Sequence, residues 1–214
     1  MRLSKRLKKI AEMIEKNKVV FDVGSDHALL PCFLVMNNIT DRVYAGEIGK
    51  GPYQKSIENI EKYNLEEKVI PLISDGLDKA ESDVEVVVIA GMGFHTIKHI
   101  LDNCDINRYD YFIVQSNNDV DKLRQYLSDH NYTIEDEMVV FDDFYYQIIR
   151  FSGRYHDRYS DIEIKYGPVL LDRKDDEFLS YLEYCRNRLI QINLKANKDE
   201  YAKTITELEE LLYN

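Results

Sequence analysis

The segment Phe21-Asp22-Val23-Gly24-Ser25-Asp26-His27 sets two carboxylates, a hydroxyl and an imidazole around one glycine. Gly24 lets backbone approach a ligand closely, while Asp22 and Asp26 bring negative charge to the same point. Paired acids disfavour a phosphate or pyrophosphate, which wants bare amides or cations, and favour a cationic ligand such as a sulfonium bearing an amino group. Three later segments repeat the pairing of acid or small residue with glycine. Glu47 closes Tyr44-Ala45-Gly46-Glu47, far enough past the glycine turn to accept both hydroxyl hydrogens of a ribose. Ser74-Asp75-Gly76 offers a carboxylate and a close backbone amide to an adenine edge, and the glycines of Ile89-Ala90-Gly91-Met92-Gly93 let a second base approach. Singly, an acid beside a glycine is an ordinary turn, and Ser25 or Asp26 could simply cap a helix. Four in succession point to one nucleoside site.

Such groups converge only if each follows a strand of the same sheet. Short apolar runs at Val19–Phe21, Arg42–Ala45, Val69–Ile73, Glu85–Ala90 and Tyr111–Val114 read as strands buried on both faces. Helical spacing fills the intervals at Leu29–Asn37, Pro52–Asn64, Thr96–Leu101 and Val120–His130, and a first helix spans Met1 to about Lys16. This alternation predicts a parallel sheet wrapped on both faces, with ligands outside the carboxyl ends of its strands. Two further strands, Thr133–Phe141 and Tyr145–Phe151, are joined only by Asp142-Asp143 and so must be antiparallel. Beyond Ser152-Gly153 the pattern changes. Phe178, Leu182, Cys185, Leu189 and Ile192 form a coiled-coil-like seam, and Tyr201, Ile205, Leu208 and Leu212 repeat it out of phase, which predicts a helical hairpin turning near Asn197. The domains expected are 1–153 and 154–214.

The 214 residues carry 28 Lys+Arg against 39 Asp+Glu, a formal charge of −11, which argues against general affinity for nucleic acid. Positive charge is concentrated at Arg2, Lys5, Arg6, Lys8 and Lys9, a solvated helix face or a contact for an RNA backbone. The stretch Arg150, Arg154, Tyr155, Arg158, Tyr159 interleaves cations with aromatics and reads as a linker or as a phosphate track. His95 and His99 could share a helix face, but no acid accompanies them in a metalloprotease arrangement, and no metal is expected. Three widely spaced cysteines fit a reducing cytoplasm, and no segment approaches the ~20 apolar residues that span a bilayer.

The runs DVGSDHALLP, GEIGKGP, SDGL, IAGMG, VQSN and GP-x-LL, in this order, resemble the TrmK family of bacterial tRNA (adenine-N1) methyltransferases over nearly the whole chain. The resemblance implies a class I methyltransferase fold, Rossmann-like, with a seven-stranded sheet and a C-terminal coiled-coil hairpin. It implies S-adenosylmethionine as cofactor, tRNA as partner and N1 of adenosine 22 as the methyl acceptor. Asp22, Gly24, Ser25 and His27 would line the methionine moiety, with Glu47 and Ile48 on the ribose side, Asp75 and Gly76 at the adenine, and Ala90 and Gly91 closing the cofactor site. Asp26 would be the catalytic group. Met92, Gly93 and Phe94 would border the target base, Phe94, Tyr145 and Tyr146 being candidates to stack on it. Arg2, Lys5, Arg6, Lys9 and Arg154 would meet the RNA. Three positions depart from the family's pattern: Phe94 for a glycine, Ser116 for a proline, and Glu47 for a frequent aspartate. The rivals are a nicotinamide oxidoreductase, whose glycine-rich phosphate loop is missing, and a non-catalytic RNA-binding module, whose cofactor acids would be free to decay.

Overall fold

The computed structural model describes Met1 and residues 3–213. Helix α1 (Lys5–Glu12) begins where the Ser4 hydroxyl accepts the Leu7 N–H, and it ends at Met13 rather than near Lys16. The chain then turns through Asn17, in left-handed backbone at φ 65°, whose N–H bonds the Ile39 carbonyl. The alternation that follows is β1 (Val20–Val23), α2 (Leu29–Met36), β2 (Val43–Glu47), α3 (Lys50–Lys62), β3 (Val69–Ile73), β4 (Val86–Met92), α4 (Phe94–Asp102), β5 (Tyr111–Ser116) and α5 (Val120–Asp129). A long pair, β6 (Tyr132–Asp142) and β7 (Phe144–Tyr155), and helix α6 (Asp161–Tyr166) come next.

The strands form one sheet in the order β3-β2-β1-β4-β5-β7-β6. All neighbours are parallel except β7, which runs antiparallel to both β5 and β6. Strand order reverses at β1, which pairs with β2 on one side and β4 on the other. The apolar strands divide their side chains between two cores. Val20, Val43, Val86, Val88 and Ile113 face α1–α3 through Ile10, Leu30, Leu34 and Ile60. Phe21, Val87, Ile89, Phe112 and Phe151 face α4 and α5 through Ile97, Leu101, Leu123 and Leu127. Burial on both sides explains why the inner strands read as continuous apolar runs rather than as alternating ones.

The chain divides into two compact units, Met1–Val169 and Leu170–Asn214. The first therefore runs past the boundary expected after Gly153. Tyr159, expected to be linker, is buried: its hydroxyl accepts the Ile134 N–H at 2.7 Å, and its own N–H bonds Ser128 Oγ at 3.0 Å. Between α5 and β6 a buried ion pair joins Arg124 Nε to Glu137 Oε1 at 2.7 Å. Glu137 Oε2 also accepts the Val169 N–H at 3.0 Å, which ties the last residue of this unit to its sheet.

Helix α7 (Pro168–Arg173) carries the boundary. In the second unit α8 (Asp176–Ala196) is capped by Asp175, whose carboxylate accepts the Phe178 N–H. It ends at Asn197, left-handed at φ 47°, where the hydrophobic phase breaks. Helix α9 (Asp199–Tyr213) packs back on α8 and brings the Tyr213 hydroxyl to Arg186.

Candidate active site

The carboxyl ends of β1, β2, β3 and β4 are adjacent, and the reversal of strand order falls among them. Asp22, the third residue of β1, is buried and accepts the Ser25 hydroxyl at 2.7 Å. Burial pushes its carboxyl up to about 7, with the charges of Glu47 and Asp26 adding to the shift and the Ser25 bond and the Arg6 charge opposing it. Asp22 thus feels the other two acids across the loop, and no Lys or Arg among the described residues pairs with any of the three.

The loop after β1 is tightly wound. Gly24 (φ 66°) is followed by Asp26 (φ 46°), His27 (φ 70°) and Ala28 (φ 56°), three left-handed non-glycine residues in a row. Left-handed backbone costs such residues roughly 1–2 kcal/mol each, so the surroundings must impose it. The Gly46 carbonyl accepts the N–H groups of both Gly24 and Ser25 at 2.9 and 3.0 Å. The His27 N–H donates to Glu47 Oε1 at 3.1 Å, and Asn59 Nδ2 donates to the His27 carbonyl at 2.9 Å. Neither Ser25 nor Asp26 caps α2, whose first residues carry no side-chain cap. The loop instead turns Asp26 outward, 86% exposed, with Nε2 of His27 at 3.4 Å.

Glu47 is buried at the end of β2, and Ser56 of α3 donates to its Oε1 at 3.3 Å. Its carbonyl accepts the Ser74 N–H at 2.9 Å, which sets the end of β3 beside it. There Asp75 is exposed and Gly76 is left-handed at φ 55°. At the end of β4, Gly91 (φ 78°) is held on both sides from β5: its N–H donates to Gln115 Oε1 at 3.1 Å, and its carbonyl accepts Asn117 Nδ2 at 2.7 Å. Arg6 of α1 reaches the same Gln115 oxygen, its guanidinium over the Tyr146 ring at 5.3 Å. Met92 lies against the first loop so closely that a Cβ on Gly24 would come within 2.4 Å of its Cε.

The structure gathers Asp22, Gly24, Ser25, Asp26, His27, Glu47, Asp75, Gly76, Gly91 and Met92 at one edge of the sheet, with Ile48 exposed just beyond Glu47. Other expectations change. Phe94 is 8% exposed and belongs to the core beneath α4, because the register of that helix turns it inward; it does not border a base. Arg154, 80% exposed and 3.8 Å from Glu135, lies at the opposite, amino edge, since β7 runs antiparallel and carries its later residues away from the site. Lys9 pairs with Glu12 at 2.9 Å, whereas Lys5 is exposed. Arg2 lies outside the described residues. The supporting roles of Gln115, Asn117 and Ser56 carry no local signal, because what singles them out is contact with distant segments, Gln115 and Asn117 with Gly91 and Ser56 of α3 with Glu47.

The family described as a methyltransferase domain matches residues 3–149. A Bacillus subtilis (strain 168) protein, tRNA (adenine(22)-N(1))-methyltransferase, is 31% identical, covering 97% of this chain and 93% of its own length. The chain belongs to this methyltransferase family. Two solved relatives of the family carry the fold in full. Mycoplasma capricolum TrmK, in complex with S-adenosyl-homocysteine, is 32% identical with a TM-score of 0.81, covering 99% of this chain and 96% of its own. Streptococcus pneumoniae Sp1610, in complex with S-adenosyl-L-methionine, is 29% identical with a TM-score of 0.89, covering 99% and 100%. Family membership removes the nicotinamide reading that the missing phosphate loop had already weakened.

Proposed function

We propose that this protein transfers the methyl group of S-adenosylmethionine to N1 of adenosine 22 in tRNA, in the cytoplasm. The observation that carries the reading is the convergence of buried Asp22 and Glu47 with exposed Asp26 around one glycine loop, with no Lys or Arg ion-paired to them among the described residues. The relatives' activity and their complexes with the cofactor and its product support it.

The residues present fit the cofactor. His27 Nδ1 is buried without a partner, a ring nitrogen waiting for a ligand group. Both hydrogen bonds to the Glu47 carboxylate among the described residues fall on Oε1, leaving Oε2 for a ribose hydroxyl. Asp22, Ser25 and His27 would hold the amino-acid end, Glu47 the ribose, and Asp75 with Gly76 the adenine. When bound, the cofactor supplies an electrophilic methyl on a sulfonium. Adenine N1 carries a lone pair at neutral pH, so the protein need not deprotonate it, and the rate gain comes from holding the acceptor in line at about 3 Å. The Gly91-Met92 turn, clamped by Gln115 and Asn117, forms the wall along which the acceptor is positioned. Asp26 projects from the strained loop, where its carboxylate stabilises the positive charge that develops on the purine.

Incubation of the protein with unmodified tRNA and S-adenosylmethionine, followed by nucleoside mass spectrometry, tests the reading. We expect 1-methyladenosine, lost when adenosine 22 is replaced. Asp26→Ala should lower kcat about 100-fold while changing the affinity for S-adenosylhomocysteine less than threefold, since one charge-stabilising group contributes on the order of 3 kcal/mol. A near-normal kcat would remove Asp26 from the reaction.

A further inference from the structure

The β6–β7 hairpin ends in Phe141-Asp142-Asp143-Phe144-Tyr145. Phe141 is 52% and Phe144 70% exposed, and the Phe141 and Tyr145 rings lie 5.0 Å apart and tilted by 59°. Because β6 runs parallel to β5, as both pair antiparallel with β7, this tip stands at the carboxyl edge of the sheet, the edge of the acidic site. It is also joined to the site by contacts. Asp142 Oδ2 accepts the Arg6 N–H at 3.1 Å, and the Arg6 guanidinium packs on Tyr146 and reaches Gln115, which holds the Gly91 N–H.

Large aromatic rings in water at a hairpin tip lose apolar burial, and this fold has two cores in which to place them. A phosphate backbone is a poor occupant here, because Asp142 and Asp143 flank the rings with negative charge. A nucleobase suits them better: it has an uncharged face to stack on an aromatic ring and carries its charge elsewhere. Extruding a target base also leaves its neighbours unstacked and in need of a partner.

We propose that Phe144, the more exposed ring and the cross-strand partner of Asp142, forms a platform on which an unstacked base of the tRNA, next to the target adenosine, is held while Gly91 and Met92 border the target itself; Phe141 pairs with Tyr145 on the other face of the hairpin. This rests on the tRNA reading above. The platform takes the place expected of Phe94, which is buried, and of Tyr146, which Arg6 covers.

The chain has no tryptophan, so Phe144→Trp puts a single indole at the tip. Tyr155, 76% exposed at the opposite edge of the sheet, gives the control Tyr155→Trp. Titration with an unmodified tRNA transcript, corrected for absorbance, should quench the Phe144→Trp emission and leave Tyr155→Trp unchanged. Phe144→Ala should raise the KM for tRNA about tenfold, within the range for one base stacked on an aromatic ring, with S-adenosylhomocysteine affinity unaltered. Phe144→Leu, which keeps apolar bulk without the ring, should behave like Phe144→Ala. Equal quenching at the two positions, an unchanged KM, or full activity in Phe144→Leu overturns the platform while leaving the methyltransferase reading intact. A wild-type protein that binds S-adenosylhomocysteine but neither binds nor methylates tRNA overturns both.

Discussion

Two groups of acids, one at each edge of the sheet, are treated in opposite ways. At the amino edge the acids around Lys18 and Arg150 meet cations. Lys18 Nζ lies 2.9 Å from Glu85 and 2.6 Å from Asp110, and Arg150 reaches Glu15 at 2.8 Å and Glu135 at 3.1 Å with its guanidinium 4.2 Å over Tyr111. The adjoining cleft, about 530 Å³, sets Glu15, Asp110 and Glu135 against Lys18, Arg150 and Arg154 and is electrically balanced. At the carboxyl edge Asp22, Asp26, Glu47 and Asp75 have no Lys or Arg ion-pair partner among the described residues. Like charges brought together without compensation oppose folding, so their presence marks a requirement other than stability. A cleft's size is a poorer guide to function than its unbalanced charge.

The sharpest way to break this comparison is to remove a balanced acid and an unbalanced one. Glu137→Ala strips the partner from buried Arg124 and should cost about 3–5 kcal/mol of stability in denaturant unfolding, with cofactor affinity unchanged in the folded fraction. A loss under 1 kcal/mol would show that the pair is not compensating. Asp22→Asn should do the reverse: S-adenosylmethionine affinity falls about 100-fold by calorimetry, roughly two decades at 1.4 kcal/mol each, while the fold is retained.

The titration of Asp22 adds a sign. Its carboxyl is raised from 3.8 to about 7, so the folded state holds a proton that the unfolded chain has released. Stability from this group is complete below about pH 4 and is lost as pH rises through 7. Asn stays neutral throughout, so Asp22→Asn should melt several degrees above wild type at pH 8 and alongside it at pH 4, at about 2–4 °C per kcal/mol. Affinity for the sulfonium should run the other way, weakening as pH drops below about 7, and a flat profile would detach Asp22 from the ligand. The smallest effect is at the amino edge, where Lys18→Ala should cost about 1 kcal/mol or less and nothing in high salt.

Much of this was legible because strand ends are local. Apolar runs closing on Asp22, Glu47, Asp75 and Gly91 announce both the strands and the groups they deliver. What was not legible depends on pairing between distant segments. Gln115 reaches Gly91 only through the β4–β5 register, and Phe141 and Phe144 become conspicuous only once the hairpin tip is seen to stand in solvent. Arg154 is a different case. The short Asp142-Asp143 link requires an antiparallel β7, and an antiparallel strand ends at the far edge, so strand direction alone places Arg154 away from the site. The boundary after Gly153 failed because Tyr159 looks polar in sequence yet is anchored by Ile134 and Ser128.

The contact between Gly24 and Met92 bears on how such enzymes diverge. A methyl group added at position 24 would collide with the thioether terminus 2.4 Å away and would also have to adopt a φ of 66°. The thioether terminus is the far end of a flexible side chain and can swing aside, so the lasting obstacle to alanine is the backbone conformation, and glycine at position 24 should persist across descendants whatever occupies position 92.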